Sequence, residues 1–339
     1  MTHGPTHPPH TAGHVDLGDA DLNARIFAGL SSVEGLLEEE LSQGEGFLVD
    51  KVAHLAKAGG KRFRPLMALL ASQYGPAAGG PDVIRAAAVV EITHLATLYH
   101  DDVMDEAELR RGVESANARW GNSVAILAGD ILLAHVSRIM SELGTATVAH
   151  FADTFGDLVT GQMRETVGPR GADPIEHYTQ VIREKTGVLI ASAGYLGALH
   201  GQATEEHTDA LRELGYAIGM VFQIVDDIID IFSDPEESGK TPGTDLREGV
   251  FTLPVLHALA EDTEVGEELR GLLTGPLGED DAAVARALDL LGRSTGRERA
   301  LADIHHYLAE AERQLKRLPD NEVTRALRQL AQYTVRRVG

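Results

Sequence analysis

Residues Leu98–Gly112 read LYHDDVMDEAELRRG, and what must surround them decides the fold. Residues four apart share a helix face, so Asp101 and Asp105 point the same way with Asp102 at the edge. The preceding stretch, Val83–Leu98, is apolar at helical spacing and holds neither Gly nor Pro, which predicts a helix ending in carboxylates. Such carboxylates repel one another unless a cation lies between them. The chain has no cysteine, and oxygen donors alone suit a hard cation, most simply Mg²⁺. Arg110-Arg111-Gly112 follows, and guanidinium forks match phosphate oxygens.

A lone motif of this kind is equally well read as a solvated helix end. A second copy changes that balance. Val221–Phe232 reads VFQIVDDIIDIF, with Asp226, Asp227 and Asp230 at the same spacing and apolar residues on both sides. Aspartates set in an apolar helix require a partner or a metal.

The 339 residues are 43% apolar, enough for a sizeable core, and only 5% aromatic, with Ala and Leu favouring helix. A formal charge of −22 argues against nucleic acid as the main partner and makes each basic cluster a candidate anion site. We expect no membrane span and no secretory signal, and hence a cytoplasmic protein. Residues 1–17 are rich in His and Pro and are expected to form a disordered tail. From residue 18 to 339 we expect one all-α domain, a large helical bundle. Apolar periodicity predicts single helices over Phe47–Lys57, Val83–Glu106, Ser115–Leu143 and Pro174–Leu199 among others, and no strand is expected.

Three further stretches carry chemistry. Gly59-Gly60-Lys61-Arg62-Phe63-Arg64-Pro65 places two glycines and three cations at a helix start, a plausible phosphate cradle. Lys185-Thr186 lies on a helix rich in small residues, which suit either a hydrocarbon cavity or close helix packing. Lys240 sits in a Gly/Pro-rich loop, Ser238–Asp245, able to close over an anion. Gln223 and Asp226 share a face of the second aspartate helix. Carboxylates, basic groups and apolar helices together suit a diphosphate ester of a long hydrocarbon.

The motifs GGKRFRP, HDDVMDEAELRRG, EKTG, FQIVDDIID and GKTPGTDLREG resemble those of the trans-isoprenyl diphosphate synthases, the polyprenyl synthetase family, in their order and spacing. The resemblance implies the all-α isoprenoid synthase fold around a central apolar cavity, a homodimer, and about three Mg²⁺ ions. It implies that Asp101, Asp105, Asp226 and Asp230 serve the metal, with Asp102 and Asp227 supporting catalysis. Arg110, Lys185 and Lys240 would grip the diphosphate of an allylic substrate. Gly60, Lys61, Arg64, His94 and Arg111 would hold isopentenyl diphosphate. Thr186 and Gln223 would stabilise the carbocation. Val250 stands where many family members have a lysine.

Family members making short products carry bulky aromatics four or five residues before the first aspartate. Here those positions are Thr97 and Ala96, followed by Thr93 and Val90 deeper along the helix, which favours a medium- to long-chain product delivered to a membrane. A twenty-carbon product is the alternative. A class I terpene cyclase fits less well, because such enzymes lack the GGKRFRP stretch. A catalytically dead partner subunit would have lost one aspartate motif. A di-iron bundle needs a second pair like Glu91 and His94.

Overall fold

The computed structural model describes residues 16–233 and 242–335. Most of the expected tail and Lys240 lie outside the described residues. Leu17, assigned to the tail from sequence, is instead buried, and its N–H donates to Asn23 Oδ1 at 3.0 Å.

The described chain is almost entirely helical and divides into two compact units. One takes the described residues through Ala152 together with Ser192–Thr208, and the other takes Asp153–Ala191 and the described residues from Asp209 on.

In the first unit, α1 (Ala20–Leu41) starts where the Asp19 carboxylate accepts the Leu22 N–H at 2.8 Å. The short helices α2 (Gly46–Val52) and α3 (His54–Lys57) replace the single helix expected over Phe47–Lys57. Helix α4 (Phe63–Ser72) is buried from Pro65 onward. Pro81 opens α5 (Pro81–Met104), which packs on α1 and α4 and delivers the first aspartates at its C-terminal end.

Two strands, β1 (Leu109–Arg110) and β2 (Val113–Glu114), then form an antiparallel hairpin that the sequence reading missed. Its turn is Arg111-Gly112, with φ of +54° and +76°. Two successive left-handed residues make the tight turn whose twist matches paired strands.

The helix expected over Ser115–Leu143 is broken. Gly121, at φ +85°, separates α6 (Ala116–Trp120) from α7 (Asn122–Leu143). Helix α7 is long and apolar enough to cross a membrane, contrary to the expectation that no stretch would be. Its Ala125, Ala128, Leu132, Val136, Ile139 and Met140 are buried, and the helix packs along α5. Helix α8 (Thr145–Val167) begins in this unit and ends in the other.

In the second unit, Asp173 caps α9 (Pro174–Ile182) by accepting the N–H groups of Ile175 and Glu176. The helix expected to run on through Leu199 is interrupted by a π turn, Arg183–Gly187, before α10 (Val188–His200), which passes into the first unit at Ser192. Such turns insert a residue into an α-helix and re-aim its side chains. Helix α11 (Glu205–Phe232) buries Met220, Val221, Ile224, Val225 and Ile228 against Tyr178, Ile182, Leu253, Ala300 and Ile304.

The small residues are used for packing. A Cβ at Gly215 would lie 2.6 Å from Ala191 Cα, and one at Gly219 would lie 2.7 Å from Gly187 Cα. In the first unit, a Cβ at Gly197 would lie 2.1 Å from the Ala68 carbonyl oxygen. At these positions backbone meets backbone, so of the two readings of the glycines the packing one holds.

Candidate active site

In the first unit the phosphate-cradle loop, α5 and the hairpin bring their basic residues together. Arg62, the left-handed residue before α4, donates from Nη1 to Glu91 Oε1 at 2.9 Å, and its Nε and Nη2 reach Glu34. Burial opposes the Arg62 charge, but Glu34 and Glu91 outweigh it and hold the pKa above its ordinary value. Arg111, from the hairpin turn, donates to the carbonyls of Leu55 (3.1 Å) and Gly59, and its Nη2 lies 4.0 Å from Glu91. A Cβ on Gly60 would come within 3.1 Å of the Arg111 guanidinium, so this glycine makes room for it.

Arg64 is half-buried, yet its Nε is sealed from solvent with no hydrogen-bond partner. Burial pushes its pKa down to about 10, with Arg111 adding to the effect and Glu91 opposing it. His94, on α5, is driven well below the ordinary imidazole range by burial and then by Arg64, Arg111, Arg110 and Arg62. A neutral imidazole among four guanidiniums, with one buried donor unspent, is an arrangement that an anion completes.

Arg110 turns the other way and donates from Nε to Asp102 Oδ1 at 2.6 Å. Asp102 is fully buried, and burial raises its pKa against the pull of Arg110. Asp105, the C-cap of α5, is exposed, Asp101 is half-exposed, and Lys61 is exposed. Ala96 is 1% exposed, as is Val90, and Thr93 has no exposed surface; Thr97 alone of these keeps some.

In the second unit the π turn places Lys185 and Thr186. Lys185 Nζ donates to Glu165 Oε2 at 2.5 Å. Thr186 Oγ1 donates to Gln223 Oε1 at 3.0 Å, and Gln223 Nε2 donates to Asp227 Oδ1 at 3.0 Å. Tyr178 OH donates to the other oxygen, Asp227 Oδ2, at 2.8 Å. Burial raises the Asp227 pKa to about 7, while Gln223 and Tyr178 resist the rise and Asp226 adds to it. Asp230 is buried, and both its backbone carbonyl and its carboxylate accept N–H groups, from Gly243 (2.9 Å) and Asp245 (3.3 Å). Asp226 is half-exposed.

Among the described residues, no three carboxylate or imidazole side chains converge to hold a metal ion unaided. The donor set is oxygen-only and sits at a helix end, so it fits Mg²⁺ that takes its other ligands from water and substrate phosphates.

The chain matches the polyprenyl synthetase family over residues 46–291. It belongs to that family. Nonaprenyl diphosphate synthase of Mycobacterium tuberculosis is 53% identical over 98% of this chain and 99% of its own length. The crystal structure of geranylgeranyl pyrophosphate synthase from Corynebacterium glutamicum, complexed with calcium and isoprenyl diphosphate, is 67% identical and covers 96% of this chain and all of that one, with a TM-score of 0.89. A decaprenyl diphosphate synthase from Rhodobacter capsulatus is 33% identical over 94% of this chain and 99% of that one, with a TM-score of 0.86. The protein is therefore a transferase of prenyl groups with the all-α isoprenoid synthase fold.

Within this polyprenyl synthetase family member, the hydrogen bonds give parts to residues that the sequence left without one. Arg62 stands inside the GGKRFRP motif, but only its contact with Glu91 shows that it braces the arginine group. Glu91 lies one turn before His94 on an apolar helix, where a carboxylate signals a buried cation partner. Glu165 and Tyr178 carry no sequence signal, because they meet Lys185 and Asp227 only through folding.

Proposed function

We propose that this synthase condenses isopentenyl diphosphate with an allylic diphosphate to make a medium- to long-chain all-trans polyprenyl diphosphate. The observation that carries the reading is the unspent, buried Arg64 Nε beside a neutral His94 among arginines, in a chain with two intact aspartate motifs. Gly60, Lys61, Arg64, His94 and Arg111 hold the isopentenyl diphosphate. Arg110, Lys185 and Lys240 grip the allylic diphosphate. Asp101, Asp105 and Asp226 are the carboxylates offered to Mg²⁺, with Asp230 in support. Mg²⁺ held by these carboxylates would supply the charge that neutralises the leaving diphosphate. The cationic side chains hold that diphosphate as the allylic C–O bond ionises, and Thr186 and Gln223 face the resulting cation. The isopentenyl double bond, held close, attacks it, and loss of a proton to the departing diphosphate completes the extension.

Thr97 and Ala96, small side chains before the first aspartate, support passage of a long tail. The length of the product made by the Mycobacterium relative agrees with this. One observation favours a twenty-carbon product instead: Val90 and Thr93, deeper on α5, are closed off, and the Corynebacterium relative is a geranylgeranyl pyrophosphate synthase. We also propose a cytoplasmic homodimer that passes its product to a membrane; the exposed Ile126 and Leu127 on α7 and Val148 on α8 support a partner copy.

The deciding experiment incubates purified protein with Mg²⁺, labelled isopentenyl diphosphate and farnesyl diphosphate, then sizes the dephosphorylated products. A long product abolished by Asp101→Ala and Asp226→Ala supports the main reading. A ladder ending at twenty carbons moves the assignment to the second. Hydrocarbon release without consumption of isopentenyl diphosphate defeats both.

A further inference from the structure

The hydrogen bonds around Asp227 form a directed chain whose polarity is set at its buried end. Both Asp227 oxygens act as acceptors here. Asp227 is 2% exposed, and its two oxygens are taken by Tyr178 OH at 2.8 Å and Gln223 Nε2 at 3.0 Å. The Gln223 amide therefore presents its NH₂ to Asp227 and its oxygen, Oε1, to Thr186. The Thr186 hydroxyl spends its one proton on that oxygen at 3.0 Å. Its lone pairs are left pointing away from Gln223, on a π turn whose side chain is half-exposed. A threonine so oriented offers electron density, where one with a free proton would offer a donor.

We propose that Tyr178 is a positioning residue: acting through Asp227 and Gln223, it fixes the Thr186 hydroxyl so that its lone pairs face the allylic cation. Tyr178 touches no substrate. It closes the second oxygen of Asp227, so that the carboxylate cannot rotate and release Gln223. Packing keeps the Tyr178 ring in place, with α9 and α11 sharing one core that includes Ile182, Ile224 and Ile228. The inference rests on the reading that Thr186 faces the cation.

A double-mutant cycle on the full chain tests it. Wild type, Tyr178→Phe, Thr186→Ala and the double variant are compared with Mg²⁺, labelled isopentenyl diphosphate and farnesyl diphosphate, recording kcat, the KM of each diphosphate and the thermal midpoint. Loss of one orienting hydrogen bond lowers kcat about tenfold. Both KM values stay within about twofold, because the diphosphate grips are untouched. The double variant is no slower than Thr186→Ala alone, since both changes cut the same chain. Losses that multiply, or a Tyr178→Phe enzyme with wild-type kcat beside a slow Thr186→Ala enzyme, overturn the positioning role and leave the role of Thr186 standing. A Thr186→Ala enzyme at wild-type rate overturns the cation-facing reading and the relay with it. Where Tyr178→Phe fails to fold, Gln223→Met takes its place: it keeps the side-chain length but passes no hydrogen bond to Thr186, and the same non-additive loss is expected.

Discussion

Arg110 Nε donates to Asp102 Oδ1 at 2.6 Å, and Asp102 has no solvent-exposed surface, so the hairpin is pinned to the end of α5 by a charge that water cannot reach. The second oxygen, Oδ2, has no hydrogen-bond partner. Removing Arg110 strands a buried carboxylate, whose cost exceeds any gain from relief of strain. Arg110→Ala is expected to lose about 3 kcal/mol of stability in urea unfolding. Adding Asp102→Asn to it restores most of the loss, because the neutral amide needs no counter-charge. A double variant as unstable as the single one would show that packing, rather than charge, sets the cost.

His94 supplies a pH dependence of definite sign. Its folded pKa is depressed well below the ordinary 6.5 by burial and by four arginines. Below about pH 6.5 the unfolded chain takes up a proton that the folded chain refuses, so stability falls as pH falls through that window. The thermal midpoint of wild type should drop on acidification from pH 7 to pH 5 by more than that of His94→Gln. Saturating inorganic diphosphate should shrink the difference, because an anion among the arginines restores affinity for the proton.

Glu91 is the buried carboxylate that favours the charged form of Arg62, Arg64 and Arg111 at once. Glu91→Gln leaves these guanidiniums to repel one another and is expected to cost about 3 kcal/mol. Because the missing item is negative charge, inorganic diphosphate should raise the melting temperature of Glu91→Gln more than that of wild type. An equal rise in both would mean that Glu91 acts only through packing.

Gly219 lets α11 touch the π turn. An added Cβ would meet Gly187 Cα at 2.7 Å, and backbone cannot step aside as a flexible side chain does. Gly219→Ala is expected to cost about 1–3 kcal/mol. It should lower kcat as well, because Thr186 rides on the displaced turn. Gly35→Ala, where a Cβ meets nothing within 4 Å, is the control and should keep both stability and rate.

The sequence by itself determined the all-α class and the positions of both aspartate motifs, since helical periodicity and i,i+4 spacing are local properties of the chain. It also determined the family, because the motifs recur in a fixed order. Local rules failed where several residues act together. The hairpin at Leu109–Glu114 is only two residues per strand, too short for a period to show. The π turn at Arg183–Gly187 leaves an apolar pattern that reads as continuous helix. Gly187 and Gly197 fit either a cavity or close packing by sequence, and only the fold shows each of them against the backbone of another helix. Above all, tertiary structure decided which carboxylates are spoken for. Asp102 and Asp227 carry the same sequence signal as Asp101 and Asp226. Burial beside Arg110 in one case, and beside Tyr178 and Gln223 in the other, turns them from offered ligands into anchors. A carboxylate's role depends on which donors reach it in the interior, and folding brings those donors from distant parts of the chain.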